Sequence, residues 1–476
     1  MIYIGLMLGI LLLLPDEIPL MINQSLKIPK MSAIFTQKAP QNADISHLVQ
    51  EFGKSDSEKN KNIVKKTDRK NKKFKSQIID TLSLNPELRI QYPENQEELL
   101  HGFFESLQYL EENQDTLIRV VHFGDSQLEG DRITAFLREK FQEEFGGCGV
   151  GTANLVDKLQ SKTSIVQTAS ASWVQQVVYG PQYRKANPNY YGILGDVHRF
   201  AVPAKPQWSK ATVTYIKSPY ATPTQQKVEN LKIFYRNPDA PFELTVNTPQ
   251  GQELKQKIDI SEQFSVYTHS LSTPFERVEI GFATGSKSPE IYGVALDCKR
   301  GITFDNVPLR GSSGVEFSRF NKAHLKRQLE LLNVKLLILQ FGVNIVPNPQ
   351  PDYTFYENMF YNELTYLKSL MPDLSILVVG VSDMSRNVTG NYESYPNIEK
   401  IRNAQKKAAF RANCAFWDLY EAMGGKNSMP SWVFAKPEAL ANKDFTHFTS
   451  KGASIVSEML YKALLTEYKR FNEYYN

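Results

Sequence analysis

Leu117-Ile-Arg-Val-Val-His-Phe-Gly-Asp-Ser-Gln-Leu-Glu-Gly-Asp131 decides how this 476-residue chain is read. Ile118 to Phe123 is an apolar run with the length and β-branched content of a buried strand. Gly124-Asp125-Ser126 breaks the run, and Ile133, Phe136, Leu137 and Phe141 then recur at the spacing of one helix face. A serine in such a strand-to-helix turn stands clear of the sheet edge, with its backbone N–H along the start of the helix. Both features suit a nucleophile that attacks a carbonyl and must stabilise the oxyanion that results. Gly, Asp and Ser are equally at home in an ordinary turn, so the rest of the chain has to decide.

Upstream, a helical pattern runs from Asn95 to Glu112 through Leu99, Leu100, Phe103, Phe104, Leu107 and Leu110. Downstream, the serine helix ends near Phe145 in the turn Gly146-Gly-Cys-Gly-Val-Gly151. Character then changes. From about 156 to 300 short β-rich runs replace helical patterns: 211–216, 231–235, 242–246 and 277–282, punctuated by Pro, Gly and Asn. That is the signature of an all-β sandwich, jelly-roll-like in its strand spacing. After Lys299 continuous apolar strands (334–341, 375–381, 414–418) alternate with amphipathic helices (317–332, 354–370, 397–412, 450–468). Such alternation means a parallel sheet covered on both faces. The serine strand belongs to that sheet. The expected organisation is one α/β domain in two parts, 96–155 and 301–476, interrupted by an inserted β domain over 156–300.

The remaining composition sets bounds. Hydrophobic residues make up 41% of the chain, enough for a large core and too many for wholesale disorder. The net charge of +4 is local: residues 51–75 hold ten Lys or Arg and four Asp or Glu, which leaves the rest near −2. Nucleic-acid recognition needs basic and aromatic residues spread over a folded face, so that class is set aside. Residues 21–95 read as a mostly disordered charged linker that spaces a folded body from a membrane or wall. Met1 to Leu14 is almost wholly apolar, short for a membrane span and about right for a secretory h-region. No Lys or Arg precedes it and no small-x-small cleavage pattern follows. Export is the reading, with 1–20 as signal peptide or membrane anchor and the protein secreted or held in the cell envelope. Of three cysteines, Cys414 opens a strand as a buried thiol, while Cys148 and Cys298 lie at the two ends of the insert and could meet at its neck. Their spacing matches no metal site.

Functional groups of an open parallel sheet collect at the carboxyl ends of its strands. Three segments beside Ser126 meet that condition. Asn344, in Phe341-Gly342-Val343-Asn344, can donate an amide N–H to an oxyanion. A glycine in Leu309-Arg310-Gly311-Ser-Ser-Gly314 can bring a backbone N–H close to a substrate oxygen. Asp444-Phe-Thr-His447 offers an imidazole to take the serine proton and a carboxylate to fix its tautomer. His122, within the nucleophile strand, reads as a packed, hydrogen-bonded residue. No second carboxylate stands out as a glycosidase partner.

Gly124-Asp-Ser126, the loop glycine, Gly342-Val-Asn344 and Asp444-Phe-Thr-His447 occur in the order of the four blocks of SGNH (GDSL-type) hydrolases. The chain resembles that family over about 100–155 and 300–476. The resemblance implies a flavodoxin-like three-layer αβα sandwich. It implies Ser126 as nucleophile, His447 as base and Asp444 as its orienter. The oxyanion hole would be the N–H groups of Ser126 and Gly311 (a better match than Gly314) with the Asn344 side chain. One departure is Ile345, where the family often has Asp. His122-Phe-Gly-Asp-Ser126 with Gly130-Asp131, and Phe416-Trp-Asp-Leu-Tyr-Glu-Ala-Met-Gly-Gly425 with Ser428-Met429 and Trp432, look like bacterial peptidoglycan O-acetylesterases. Those carry a carbohydrate-binding-module-like β domain between the serine and glycine blocks, where the interruption falls here. The expectation is a metal-free, cofactor-free serine esterase on an acylated cell-wall glycan. Esterase or acyltransferase action on another acylated polysaccharide, or glycan binding by a vestigial hydrolase, are the alternatives. In the insert, Trp173, Tyr190, Tyr191 and Trp208 read as either core or sugar-stacking residues.

Overall fold

In a computed structural model, which describes residues 17–20, 24–27, 41–53, 85–157, 162–180, 186, 189–200 and 208–475, the apolar run 118–123 lies within strand β1 (Leu117–Gly124). Four further strands lie parallel to it: β2 (Gly301–Pro308), β3 (Val334–Gln340), β4 (Ser375–Val379) and β5 (Ala415–Trp417). Their order is β2-β1-β3-β4-β5, the flavodoxin-like arrangement with its switch point between β1 and β3. Register matters more than order. Gly124 pairs with Pro308 on one side and Gln340 on the other, Gln340 with Val379, and Val379 with Trp417. All five carboxyl ends are therefore level, and the loops that follow them share one edge.

Residues alternate between the two faces of this sheet, as the pleat requires. Ile118, Val120, Leu336 and Ile338 pack against helices α1 (His101–Asn113), α2 (Thr134–Phe145) and α6 (Ser450–Tyr475). Val121, Phe123, Leu337 and Leu339 pack against α3 (Lys322–Leu331), α4 (Thr354–Lys368) and α5 (Ile398–Arg411). This is the three-layer αβα sandwich. The helix expected over 317–332 is broken in two, because the Asn321 side chain accepts from the His324 N–H and starts α3 afresh after one tight turn at Phe317–Arg319.

Between α2 and β2 lies the inserted β domain. Two antiparallel sheets face each other across a core that includes Val213, Leu244, Ile280, Leu231, Ile233 and Val294. Strand Gly149–Ala153 pairs with Glu290–Asp297 inside it, so the insert starts at its neck near Cys148 rather than at 156. Cys148 and Cys298 form a disulfide there. Cys414 is a buried free thiol, its pKa pushed up to about 12 by burial.

Part of the stretch read as linker is ordered. Helix Ser46–Phe52 buries Leu48 and Phe52 against the core of the α/β sandwich, and Lys462 of α6 lies 3.2 Å from Glu51 and 4.2 Å from the Phe52 ring. A helix of seven residues is too short to leave a periodic trace and is held by tertiary packing. The apolar segment Met1–Leu14 and residues 54–84, which include most of the basic run 51–75, lie outside the described residues. Among the described residues no helix is long and apolar enough to cross a membrane.

Candidate active site

The Ser126 turn begins where β1 ends. A Cβ at Gly124 would sit 2.7 Å from the Gln340 carbonyl oxygen and from the Leu128 side chain, so glycine is needed for that close approach. Asp125 then turns inward. Its buried carboxylate accepts from the Gln127 N–H at 3.0 Å and from the Val343 N–H at 3.4 Å, which joins the turn after β1 to the turn after β3. Burial pushes this carboxyl up to about 6, against the opposing pull of those N–H groups and of nearby His447.

Ser126 does not open the long helix, as the sequence suggested. It starts a separate one-turn 3₁₀ segment, Ser126–Leu128, and α2 begins only at Thr134. Gly130 and Asp131 adopt left-handed backbone between the two (φ 69° and 59°), which ends one helical direction before the next starts. The Ser126 N–H nonetheless donates to no acceptor among the described residues.

From the opposite end of the chain, the turn before α6 supplies an imidazole. Ser126 Oγ lies 2.8 Å from His447 Nε2, and His447 Nδ1 lies 2.8 Å from Asp444 Oδ2. Asp444 Oδ1 accepts from the N–H groups of Thr446 and His447, both at 3.0 Å. Partial burial alone would raise the Asp444 pKa, but the imidazole and the two backbone donors outweigh it and bring it below the usual carboxylate value. It is thus charged at neutral pH and fixes the ring with Nδ1 protonated and Nε2 free to receive the serine proton.

The two remaining predicted groups lie on the loops that follow β2 and β3. Asn344 Nδ2 donates one hydrogen bond to the Ser312 carbonyl at 2.8 Å, which orients the amide and leaves its second N–H unspent. The glycines of the preceding loop divide clearly. Gly314 N–H is taken by Ser312 Oγ at 2.9 Å, whereas Gly311, at φ 79°, donates to no acceptor among the described residues. Ile345 sits on a tight turn closed by its N–H to the Gly342 carbonyl at 3.0 Å. Asp125 and Gln405, whose amide donates to the Phe341 carbonyl at 2.7 Å, support that loop instead of a carboxylate at 345.

His122 stays out of the site. It is buried between Gln340 Oε1 and Thr134 Oγ1, both at 3.1 Å, and burial pushes its pKa down to about 4, so it is a neutral sheet residue. In the insert, Tyr191 is buried, Tyr190 lies against His324 and Arg236, Trp173 is half-buried with its indole N–H on the Thr212 carbonyl, and Trp208 is exposed.

Several supporting residues carried no sequence signal. Gln127 is buried, and its Nε2 donates to the Thr446 carbonyl at 2.7 Å and to Ser382 Oγ at 3.2 Å, tying the Ser126 turn to the His447 turn and to the loop after β4. Arg132 donates to Glu129 and Phe448 carbonyls at 2.7 and 2.6 Å. Arg310, beside Gly311, forms an ion pair with Glu129. Asp383 accepts from the Met429 N–H at 2.8 Å, and burial pushes it up to about 6. This contact also explains the Met423–Trp432 segment: Trp432 donates its indole N–H to the Met423 carbonyl at 2.8 Å, and so presents Met429 to Asp383. Among the described residues no group of three or more His, Cys, Asp or Glu could hold a metal ion.

No family model matches the chain, and no curated protein matches it. Solved structures do. A peptidoglycan O-acetylesterase matches over 78% of this chain and 96% of its own, at 20% identity and a TM-score of 0.62. A family two carbohydrate esterase from Cellvibrio japonicus covers 64% of this chain and 98% of its own, at 8% identity and a TM-score of 0.25. A family 29 carbohydrate-binding module covers 32% and 91%, at 11% identity and a TM-score of 0.21. The first likeness spans both the α/β sandwich and the insert. The fold, an αβα sandwich interrupted by an inserted β domain, is similar to that of the peptidoglycan O-acetylesterase.

Proposed function

We propose that this protein is a serine esterase that removes O-acetyl groups from a cell-wall glycan, with peptidoglycan as the substrate and the cell envelope as its place of action. The observation that carries the reading is the line from Ser126 Oγ to His447 Nε2 and from Nδ1 to Asp444, each link 2.8 Å, at the edge where all five strand ends are level. Its chemistry follows directly. Ser126 Oγ attacks the acetyl carbonyl carbon while its proton passes to His447 Nε2. The oxygen that becomes negative is received by the free N–H groups of Ser126 and Gly311 and by the second N–H of Asn344. Collapse breaks the bond to the sugar oxygen, which leaves as a hydroxyl carrying the proton from His447. Water then gives a proton to His447 and attacks the acetyl-serine, and acetate departs as the serine hydroxyl is restored.

The likeness to a peptidoglycan O-acetylesterase along both domains supports the substrate class. The apolar segment Met1–Leu14, read as a secretory h-region, and the charged run 51–75, read as a spacer, support the location. The test is acetate release from O-acetylated peptidoglycan, with acetylated xylan and an aryl acetate beside it. Wild-type protein should release acetate fastest from peptidoglycan, and Ser126→Ala should release none. Retained activity in Ser126→Ala would refute the nucleophile, and a preference for xylan would move the substrate to another glycan.

A further inference from the structure

Between Asp444 and His447 lies a residue in a conformation that needs explaining. Phe445 has φ 54°, the left-handed region, which a bulky aromatic residue adopts only under constraint. It is not at a loose end of the chain but 4% exposed, in the middle of the segment that carries both acid and base of the triad. Such a conformation persists where the surroundings over-determine it, and it clusters at functional sites. Here it has a use. The reversal at Phe445 is what lets the next two N–H groups, of Thr446 and His447, both reach Asp444 Oδ1.

What constrains Phe445 is an antiparallel hairpin, Ser385–Val388 with Asn391–Ser394, that follows β4. Tyr392, on its second strand, lays its ring on that of Phe445, with centroids 3.5 Å apart and planes 9° from parallel. The Ser385 N–H, at the hairpin's start, donates to the Phe445 carbonyl at 3.0 Å, and Phe434 abuts the ring edge-on at 5.8 Å. The hairpin is itself rooted: the Ser394 N–H reaches Asn427 Oδ1 at 3.0 Å and the Asn427 N–H reaches Ser394 Oγ at 2.7 Å. The strained turn is therefore gripped from a part of the chain that touches neither Ser126 nor His447 in any hydrogen bond among the described residues.

We propose that Tyr392 is a positioning residue for the base: its ring clamps Phe445 and so holds the Asp444–His447 turn in the form that presents Nε2 to Ser126. The kinetic arm of its test rests on the esterase reading; the structural arm does not. Without the ring, Phe445 is free to leave positive φ, Asp444 loses one or both backbone donors, and the imidazole drifts from Oγ. A misplacement of about 1 Å in a reacting group is worth about 10²-fold in rate.

Tyr392→Ala and Tyr392→Phe are to be compared with wild type in three measurements: kcat per active site by burst titration with an aryl acetate, KM, and a crystal structure of each. Tyr392→Ala should lower kcat per titrated serine by about 10²-fold, leave KM within about twofold, and show Phe445 out of the left-handed region with the Oγ–Nε2 contact broken. Tyr392→Phe, which keeps the ring, should return both rate and geometry to wild type. A merely structural role would lower the melting temperature and the fraction of titratable sites but leave kcat per site intact, and that result overturns the clamp. If the wild-type protein cleaves no acetyl ester, the function proposed above fails. The crystal structures then decide alone: an unchanged Phe445 and an intact 2.8 Å contact in Tyr392→Ala overturn the clamp, and a released turn upholds it.

Discussion

Replacing Asn344 with alanine separates chemistry from scaffolding at this site. The amide has two N–H bonds, and one of them is spent on the Ser312 carbonyl at 2.8 Å. The other is the candidate oxyanion donor. Removing the side chain deletes both, with separable consequences. Loss of a preorganised donor to an oxyanion raises the barrier by about 2.7–4 kcal/mol, or roughly 10²–10³-fold in kcat. Because the full negative charge exists only in the transition state, KM should move by less than about threefold. Loss of the Ser312 bond, a neutral one, takes away about 1 kcal/mol of stability. For a chain of this length that is a fall in Tm of no more than about 2–4 °C.

Steady-state kinetics on an aryl acetate and on O-acetylated peptidoglycan would measure the first effect, and calorimetry the second. Asn344→Asp sharpens the comparison. A carboxylate has no N–H to offer and would face the Ser312 carbonyl and the developing oxyanion with like charge, so its kcat should fall at least as far as that of the alanine variant. If Asn344→Ala keeps kcat within about threefold of wild type while Ser126→Ala is inactive, Asn344 is only a brace for the glycine loop. The oxyanion would then be held by backbone N–H groups alone, and the assignment would be wrong.

Gln127→Met keeps the side-chain length but removes the donor to Thr446 and Ser382, so kcat should fall by about tenfold as the two turns loosen; an unchanged kcat would mean that Arg132 alone holds them together. Asp383 should leave a signature in the pH dependence of stability. Its folded pKa, raised to about 6 by burial, lies above the unfolded value, so its contribution is full below about pH 4 and is lost as pH rises through 6. Urea unfolding near pH 4 and pH 7 should show Asp383→Asn lacking on the order of 3 kcal/mol of that decline, whereas parallel curves would place the carboxyl's pKa near its ordinary value. The double variant Cys148→Ser, Cys298→Ser opens a covalent loop spanning a separation of 150 residues and should lose about 2–5 kcal/mol of stability; an unchanged unfolding curve would show that the neck is held without the bond.

How much of this was legible beforehand depends on whether the signal was local. The strand Leu117–Gly124 announces itself through Ile118, Val120, Val121 and Phe123 within six positions, and the segments of the candidate site through their order along the chain. Level register then does the rest, because parallel strands whose carboxyl ends align bring distant loops to one edge. The insert was visible as a loss of helical period. What could not be read were contacts made by single side chains across long separations. Gln127 meets Thr446 across 319 residues, and nothing near Gln127 hints at it. The left-handed pair Gly130 and Asp131, which detaches Ser126 from α2, interrupts the apolar pattern too briefly to register. Helix Ser46–Phe52 has two buried residues and owes its existence to α6. Tyr392 looked like one tyrosine among twenty-three.

The insert's attachments limit what it can do. At the neck, beside the disulfide, Arg119 of β1 is buried between Asp305 of β2 and Asp297 of the insert's last strand, and Asp305 also takes the Thr152 N–H at 2.8 Å. Far from the neck, Gln328 of α3 accepts from the Ile193 N–H at 2.7 Å and donates to the Tyr191 carbonyl at 3.0 Å, while Arg327 donates to the Phe264 carbonyl at 2.8 Å. A third contact is made five residues after Ser126: Ser164 donates to Asp131 at 2.8 Å, and Asp131 pairs with buried Arg138 of α2. A buried cation shared by two carboxylates tolerates the loss of neither partner well, since what remains is an unpaired charge out of reach of water. The insert is thus not an arm on a hinge. Any glycan contact it makes is made at a fixed offset from Ser126, and excising it would disturb the Asp131 turn as well as any sugar-binding surface. Point changes at exposed positions such as Trp208 are therefore the informative way to ask whether the insert recognises the polymer, because they leave the brace on the nucleophile turn in place.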